Sequence, residues 1–82
     1  MTDYKSALQE AAHLLGRRQP AYVLINERGP EHKKTFTVEA RLHTEGAAQA
    51  EYTARGEGMT KKQAEQIAAK QALEYLRSLQ GM

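Results

Sequence analysis

The sequence predicts an α+β fold, two helices packed on one face of a three-stranded antiparallel sheet, in the order helix, strand, strand, strand, helix. Three observations predict it. Apolar residues recur at three- and four-residue steps near both ends of the chain, they alternate with polar residues through the middle, and Gly and Pro stand at the junctions. The 82 residues, 40% of them hydrophobic, suit a single domain with one modest core, expected to occupy 1–82 with its folded part at 3–79.

The first helix is expected over Asp3 to Leu15, where Tyr4, Ala7, Leu8, Ala11, Ala12 and Leu15 form one apolar stripe. Thr2 or Asp3 can cap its start, and Gly16 is placed to end it. Arg17 to Pro20 then form a linker, because the residue before proline is pushed out of helical geometry. Tyr22 to Glu27 reads as a first strand, closed by Gly29-Pro30. From Thr35 to Leu42 the alternation sets Phe36, Val38, Ala40 and Leu42 against Thr35, Thr37, Glu39 and Arg41. Ala48 to Arg55 repeats it, with Ala50, Tyr52 and Ala54 on one side, after a turn at His43 to Gly46. Short connections favour an antiparallel meander with one wet face and one dry.

The second helix is expected over Thr60 to Leu79, with Ala64, Ile67, Ala68, Ala72, Tyr75, Leu76 and Leu79 facing the sheet. Thr60 and Gln63 fit a capping box, and the many alanines allow a close approach. Phe36 and Ile67 are expected in the core.

Composition narrows the function. There is no cysteine, so neither disulfides nor thiolate metal sites are available. No apolar run approaches the roughly 18 residues that a membrane helix needs, which points to a cytoplasmic protein without a membrane partner. The net charge of +2 is mildly basic, so the placement of the 12 Lys and Arg matters more than their sum. The acids are scattered, His13, His32 and His43 lack metal-ligand spacing, and no serine–histidine–acid arrangement is present. The chain is therefore expected to have no catalytic residue, no metal ligand and no cofactor.

Three features point to nucleic acid. Lys61 and Lys62 occupy the first turn of the second helix, where the macrodipole disfavours cations and stability alone would select Asp or Glu. Two lysines beside unpaired backbone N–H groups suit a phosphate, and Gly56-Glu57-Gly58 just before them allows a sharp turn and a close approach. The loop Arg28 to Lys34 is stiffened by Pro30 and carries His32, Lys33 and Lys34. The polar face of the first helix, Ser6, Gln9, Glu10 and His13, offers hydrogen-bonding groups that suit the 2′-hydroxyls of an A-form minor groove. Together they make three contacts across successive grooves of an RNA duplex, a footprint of about 16 base pairs.

Asp3 to Leu79 resembles the double-stranded-RNA-binding domain, most closely the C-terminal domain of bacterial ribonuclease III. The likeness rests on Tyr4 to Glu10, on Gly29-Pro30-Glu31-His32 with Lys33 to Val38, and on Gly56-Glu57-Gly58 with Thr60 to Leu73. The resemblance implies that Ser6, Gln9 and Glu10 meet one minor groove and Pro30 and His32 the next. Lys61 and Lys62 would meet phosphates of the intervening major groove. Where many members have a third lysine this chain has Glu65, for which Lys33 or Lys34 would compensate. The resemblance also implies a parent enzyme, a homodimeric Mg2+-dependent ribonuclease III-type nuclease whose catalytic domain is separate, with Met1-Thr2 in the linker. The isolated domain is then expected to be a monomer that binds double-stranded RNA. An interaction or dimerisation module of the same fold, with little RNA affinity, is the alternative; a small nuclease or a KH-type single-strand binder fits the sequence less well.

Overall fold

The computed structural model describes residues 3–80, so Thr2, the alternative cap, lies outside it, as do Met1, Gly81 and Met82. Helix α1 spans Tyr4–Leu14, strands β1, β2 and β3 span Ala21–Arg28, Thr35–Leu42 and Tyr52–Gly58, and helix α2 spans Lys61–Gln80. The strands form one antiparallel sheet in the order β1-β2-β3, as the alternation predicts.

Both helix ends are made by local chemistry. Asp3 caps α1, its carboxylate accepting from the Ser6 N–H at 3.2 Å and the Ser6 hydroxyl at 2.7 Å. At the other end the Arg17 N–H bonds to the Ala12 carbonyl at 2.8 Å and the Gly16 N–H to that of His13 at 3.2 Å, the Schellman pattern. Thr60 Oγ1 accepts from the Gln63 N–H at 3.0 Å, and Gln63 Oε1 accepts from the Met59 N–H at 3.0 Å. The predicted capping box is thus present, with its return bond displaced by one residue from Thr60 to Met59.

The core is built from Leu8 and Ala12 of α1, Val38, Ala40 and Leu42 of β2, Ala54 of β3, and Ala64, Ala68, Ala69, Ala72, Leu73 and Leu76 of α2. α2 lies on β2 and β3, and α1 packs chiefly on α2. That arrangement corrects the expected stripe. Ile67 is 43% exposed, while Ala69 and Leu73, outside the predicted stripe, are buried. At 100° per residue the buried arc is rotated by roughly 60° toward the flank that α1 covers. Leu79 lies within that arc yet is half-exposed, because it sits in the last turn of α2. Phe36 is only partly buried, at the end of the sheet.

Two further expectations change. β3 starts at Tyr52, four residues later than predicted, and runs through both glycines to Gly58. Gly56 and Gly58 therefore make no turn. They lie on the face under α2, where a Cβ on Gly56 would stand 2.4 Å from the Ala64 carbonyl oxygen and one on Gly58 2.7 Å from the Gln63 Cβ. The open face is also less wet than alternation suggests. Thr37 and Glu39 on the central strand are each 8% exposed, covered by neighbours on both sides. Glu39 accepts from Arg41 Nε at 2.7 Å and Arg55 Nε at 3.0 Å, so its buried charge is fully paired.

At the far end of the molecule Arg17 forms a two-point pair with Glu51, at 2.8 and 2.7 Å. The Tyr75 hydroxyl donates to the same carboxylate at 2.5 Å, and Tyr75 stacks on Tyr52 with ring centroids 4.0 Å apart. This cluster joins the end of α1, the start of β3 and the second half of α2.

Gly56→Ala is expected to cost about 1–3 kcal/mol or more, because the added methyl meets backbone that cannot yield; denaturant melts measure it. Leu76→Ala should cost about 2–5 kcal/mol and Ile67→Ala well under half of that, since only the first empties a buried site. Equal losses for the two would show the rotation of α2 to be wrong.

Candidate nucleic-acid interface

Strand register brings two of the predicted contact segments together. Arg28 pairs with Thr35 and Phe36 with Gly58, so the β1–β2 loop and the start of α2 share one end of the sheet. The loop is a tight turn in which the Lys33 N–H bonds to the Pro30 carbonyl at 2.9 Å. Gly29 has φ +98°, and a Cβ there would stand 2.6 Å from the Lys33 carbonyl oxygen, so both dihedral and space call for glycine. The turn leaves Pro30, His32 and Lys33 exposed.

Lys61 and Lys62 are exposed in the first turn of α2, which contains no acid. Among the described residues neither forms an ion pair. Two cations thus stand where the helix dipole and open N–H groups already favour an anion.

The start of α1 is tied to α2 one turn beyond those lysines. The Tyr4 N–H donates to Gln66 Oε1 at 2.8 Å, and Gln66 Nε2 donates to Asp3 Oδ1 at 2.9 Å. Lys5 Nζ pairs with Glu65 at 2.5 Å and lies 4.9 Å from the centre of the Tyr22 ring. These bonds place the N-terminal turn of α1 near the basic corner, with Ser6, Gln9, Glu10 and His13 all exposed. Gln9 lines a cleft of about 250 Å³ with Lys5, Gln19, Pro20 and Tyr22.

Local hydrogen bonding pulls several acids down. The amide of Gln66, with the Ser6 hydroxyl and N–H, holds Asp3 at about 2 against an ordinary 3.8. Arg17, helped by the Tyr75 hydroxyl, lowers Glu51, and the same bond raises Arg17. Burial pushes Tyr22 up to about 12.

Two predicted contacts are less free than the sequence suggests. Lys34 Nζ lies 2.6 Å from Glu27 and 3.3 Å from Glu31. The Ser6 hydroxyl gives its proton to Asp3, which leaves its lone pairs to accept. Glu65 is half-buried and engaged with Lys5, which accounts for an acid at this position by its place between the helices. Lys5, Glu27 and Gln66 were not singled out from sequence. The partners of Lys5 and Gln66 lie across the fold, Glu27 meets Lys34 across the β1–β2 hairpin, and only the short Asp3–Ser6 spacing carries a local sign. Arg28, read as part of the basic loop, turns to the open sheet face and reaches Glu57 at 3.3 Å.

Among the described residues no three or more His, Cys, Asp or Glu side chains are grouped to hold a metal ion, and no helix is long and apolar enough to cross a membrane.

The α-β-β-β-α order and the basic corner at the start of α2 define a double-stranded RNA-binding domain; the family described as the double-stranded RNA binding motif matches residues 4–76, and the chain belongs to it. Its relatives include ribonucleases. It is 50% identical over 76 residues to Ribonuclease 3 of Solibacter usitatus, covering 93% of this chain and 26% of that protein. With Ribonuclease 3 of Aquifex aeolicus it shares 43% over 74 residues, 90% of this chain and 30% of the relative. The chain therefore spans little more than a quarter of the ribonucleases it matches. Among solved structures, Arabidopsis HYL1 superposes with a TM-score of 0.69 at 32% identity, covering 92% of this chain and 97% of that one. DRB4 dsRBD2 does so with 0.62 at 33% identity, covering 99% and 100%.

Because Asp3 is depressed in the folded chain, its stabilisation is complete above its ordinary 3.8 and is lost as pH falls toward about 2. Asp3→Asn keeps a capping oxygen but cannot titrate, so thermal melts of that variant should fall less steeply over this window. An unchanged slope would remove Asp3 from the acid response.

Proposed function

We propose that this chain binds double-stranded RNA by shape, 2′-hydroxyl and phosphate contacts, and delivers that RNA to a ribonuclease III-type catalytic domain. The observation that carries the reading is the exposed lysine pair at the start of α2, without an acidic partner among the described residues and beside a rigid loop at the same end of the sheet. A helix that opens on two cations is selected for a ligand and not for stability, and a phosphate is the ligand that this corner suits.

In this reading Ser6, Gln9 and Glu10 meet one minor groove and Pro30 and His32 the next. Lys61 and Lys62, with Lys33 and Lys34 at the rim, meet the phosphates between them. Contacts to backbone and 2′-hydroxyls carry little sequence information, so binding tolerates many sequences and prefers RNA over DNA. Family membership and ribonuclease relatives support the partner class. The parent enzyme in this proposal is a cytoplasmic, Mg2+-dependent homodimer, while the isolated domain is a monomer without catalytic residues or cofactor.

A titration against an RNA duplex of about 20 base pairs, with the matching DNA duplex beside it, tests the reading. RNA should bind more tightly, with an affinity that falls as salt rises. Equal binding of the two duplexes would sink it. Lys61→Ala/Lys62→Ala should weaken all duplexes alike and reduce the salt slope by roughly 0.9 for each lost phosphate contact. Unchanged affinity would take the lysines out of the site.

A further inference from the structure

An acid stands inside the basic corner, and an irregularity of the sheet puts it there. The β1–β2 register shifts between Leu24 and Asn26, so Ile25 is an extra residue. Up to Leu24, which pairs with Val38, the even-numbered residues of β1 share the helix side with the inward residues of β2. An uninterrupted register would turn Glu27 to the open face. With the bulge, Glu27 pairs with Phe36, whose other neighbour is Gly58 under the first turn of α2. A one-residue slip exchanges the faces of every residue beyond it. Glu27 thereby reaches the helix side, while Arg28 goes to the open face and pairs with Glu57.

On the helix side the Glu27 carboxylate lies 2.6 Å from Lys34 Nζ. Lys34 is the less exposed of the two loop lysines and its side chain is 28% exposed, so the pair is partly shielded from water. The field of Lys61 reaches Glu27 as well, and both lysines keep its carboxyl below the usual range. Glu31, by contrast, is 93% exposed and 3.3 Å away. A carboxylate held on Lys34 beside the start of α2 occupies a cation that a backbone phosphate at this corner would otherwise meet.

We infer that Glu27 is a built-in counter-anion of the phosphate-binding corner, occupying Lys34 until a ligand that engages the whole face displaces it. A flexible polyanion touches this corner with one or two charges and must break the Lys34–Glu27 pair for little return. A duplex that also makes groove contacts gains enough elsewhere to do so. Glu27 then raises selectivity for duplex RNA at the expense of affinity. This rests on the proposed RNA binding and extends it to a residue that touches no RNA.

The test compares wild type, Glu27→Gln and Glu31→Gln against duplex RNA, single-stranded RNA of the same sequence, and inorganic polyphosphate, over a range of salt. Glu27→Gln should bind all three more tightly at low salt. The single strand and polyphosphate should gain roughly three- to tenfold, more than the duplex, with the single strand's salt slope steeper by about 0.7. Glu31→Gln should change little, and thermal melts confirm that each variant is folded. The gain should vanish in a Lys34→Gln background, because it acts through that lysine. Loss of duplex affinity in Glu27→Gln would show that the acid only holds Lys34 in place, and would overturn the inference. So would unchanged binding of every ligand, or a gain that survives in full without Lys34. If wild type binds no RNA duplex, the proposed function fails by itself. The polyphosphate arm still decides Glu27, whose role then stands only if Glu27→Gln binds that ligand more tightly than wild type.

Discussion

The close approach of α2 to β3 is the constraint on which the rest of the structure depends. Gly56 and Gly58 present bare backbone to Ala64 and Ala68, and no side chain fits between them. The helix backbone therefore lies against the sheet with its first turn directly over the end of β3. That contact sets where Lys61 and Lys62 emerge, and it brings them beside the β1–β2 loop. Glycine weakens a strand, so its use twice in β3 costs about 0.5–1 kcal/mol at each position relative to alanine. The packing of α2 offsets that cost, and the glycines hold the functional lysines at a defined distance from the loop.

Around this contact the polar groups divide into two sets. One set closes on itself: Glu39 between Arg41 and Arg55, Glu51 between Arg17 and Tyr75, Glu65 with Lys5. Apart from Glu39–Arg41, which lies within β2, these bonds join different parts of the fold and bind the frame together. They lie at the open sheet face, at the far end of the molecule and between the helices. The other set is left open at the basic corner, where Lys33, Lys61 and Lys62 have no acidic partner among the described residues and Lys34 is held by Glu27. A protein of net charge +2 thus gathers an excess of positive charge at one corner, which is what steers a polyanion to one place.

Much of this was legible because it is local. Asp3 and Gly16 mark the ends of α1, Thr60 and Gln63 mark the start of α2, and Phe36 to Leu42 alternate cleanly. Lys61 and Lys62 were legible for the same reason, since a cation in the first turn contradicts a local preference that needs no knowledge of the fold. Other features were hidden. Ile67 lies at the edge of the apolar stripe, and which edge is buried depends on where α1 lies. Thr37 and Glu39 read as wet because alternation carries no information about the arginines that cover them.

Sequence alone determined the element order, the caps, the glycines that end α1 and open the β1–β2 loop, and the lysine pair, because each follows from preferences acting over a few residues. Tertiary structure decided the rotation of α2, the engagement of Glu65 by Lys5 and the turning of Glu27 into the basic corner. Each of these depends on partners tens of residues away, or on a bulge at Ile25 that no propensity announces. A one-residue slip in register reverses which side chains face the helices. The charge at the end of the sheet is therefore set by how two strands pair, and not by which residues follow one another along either of them.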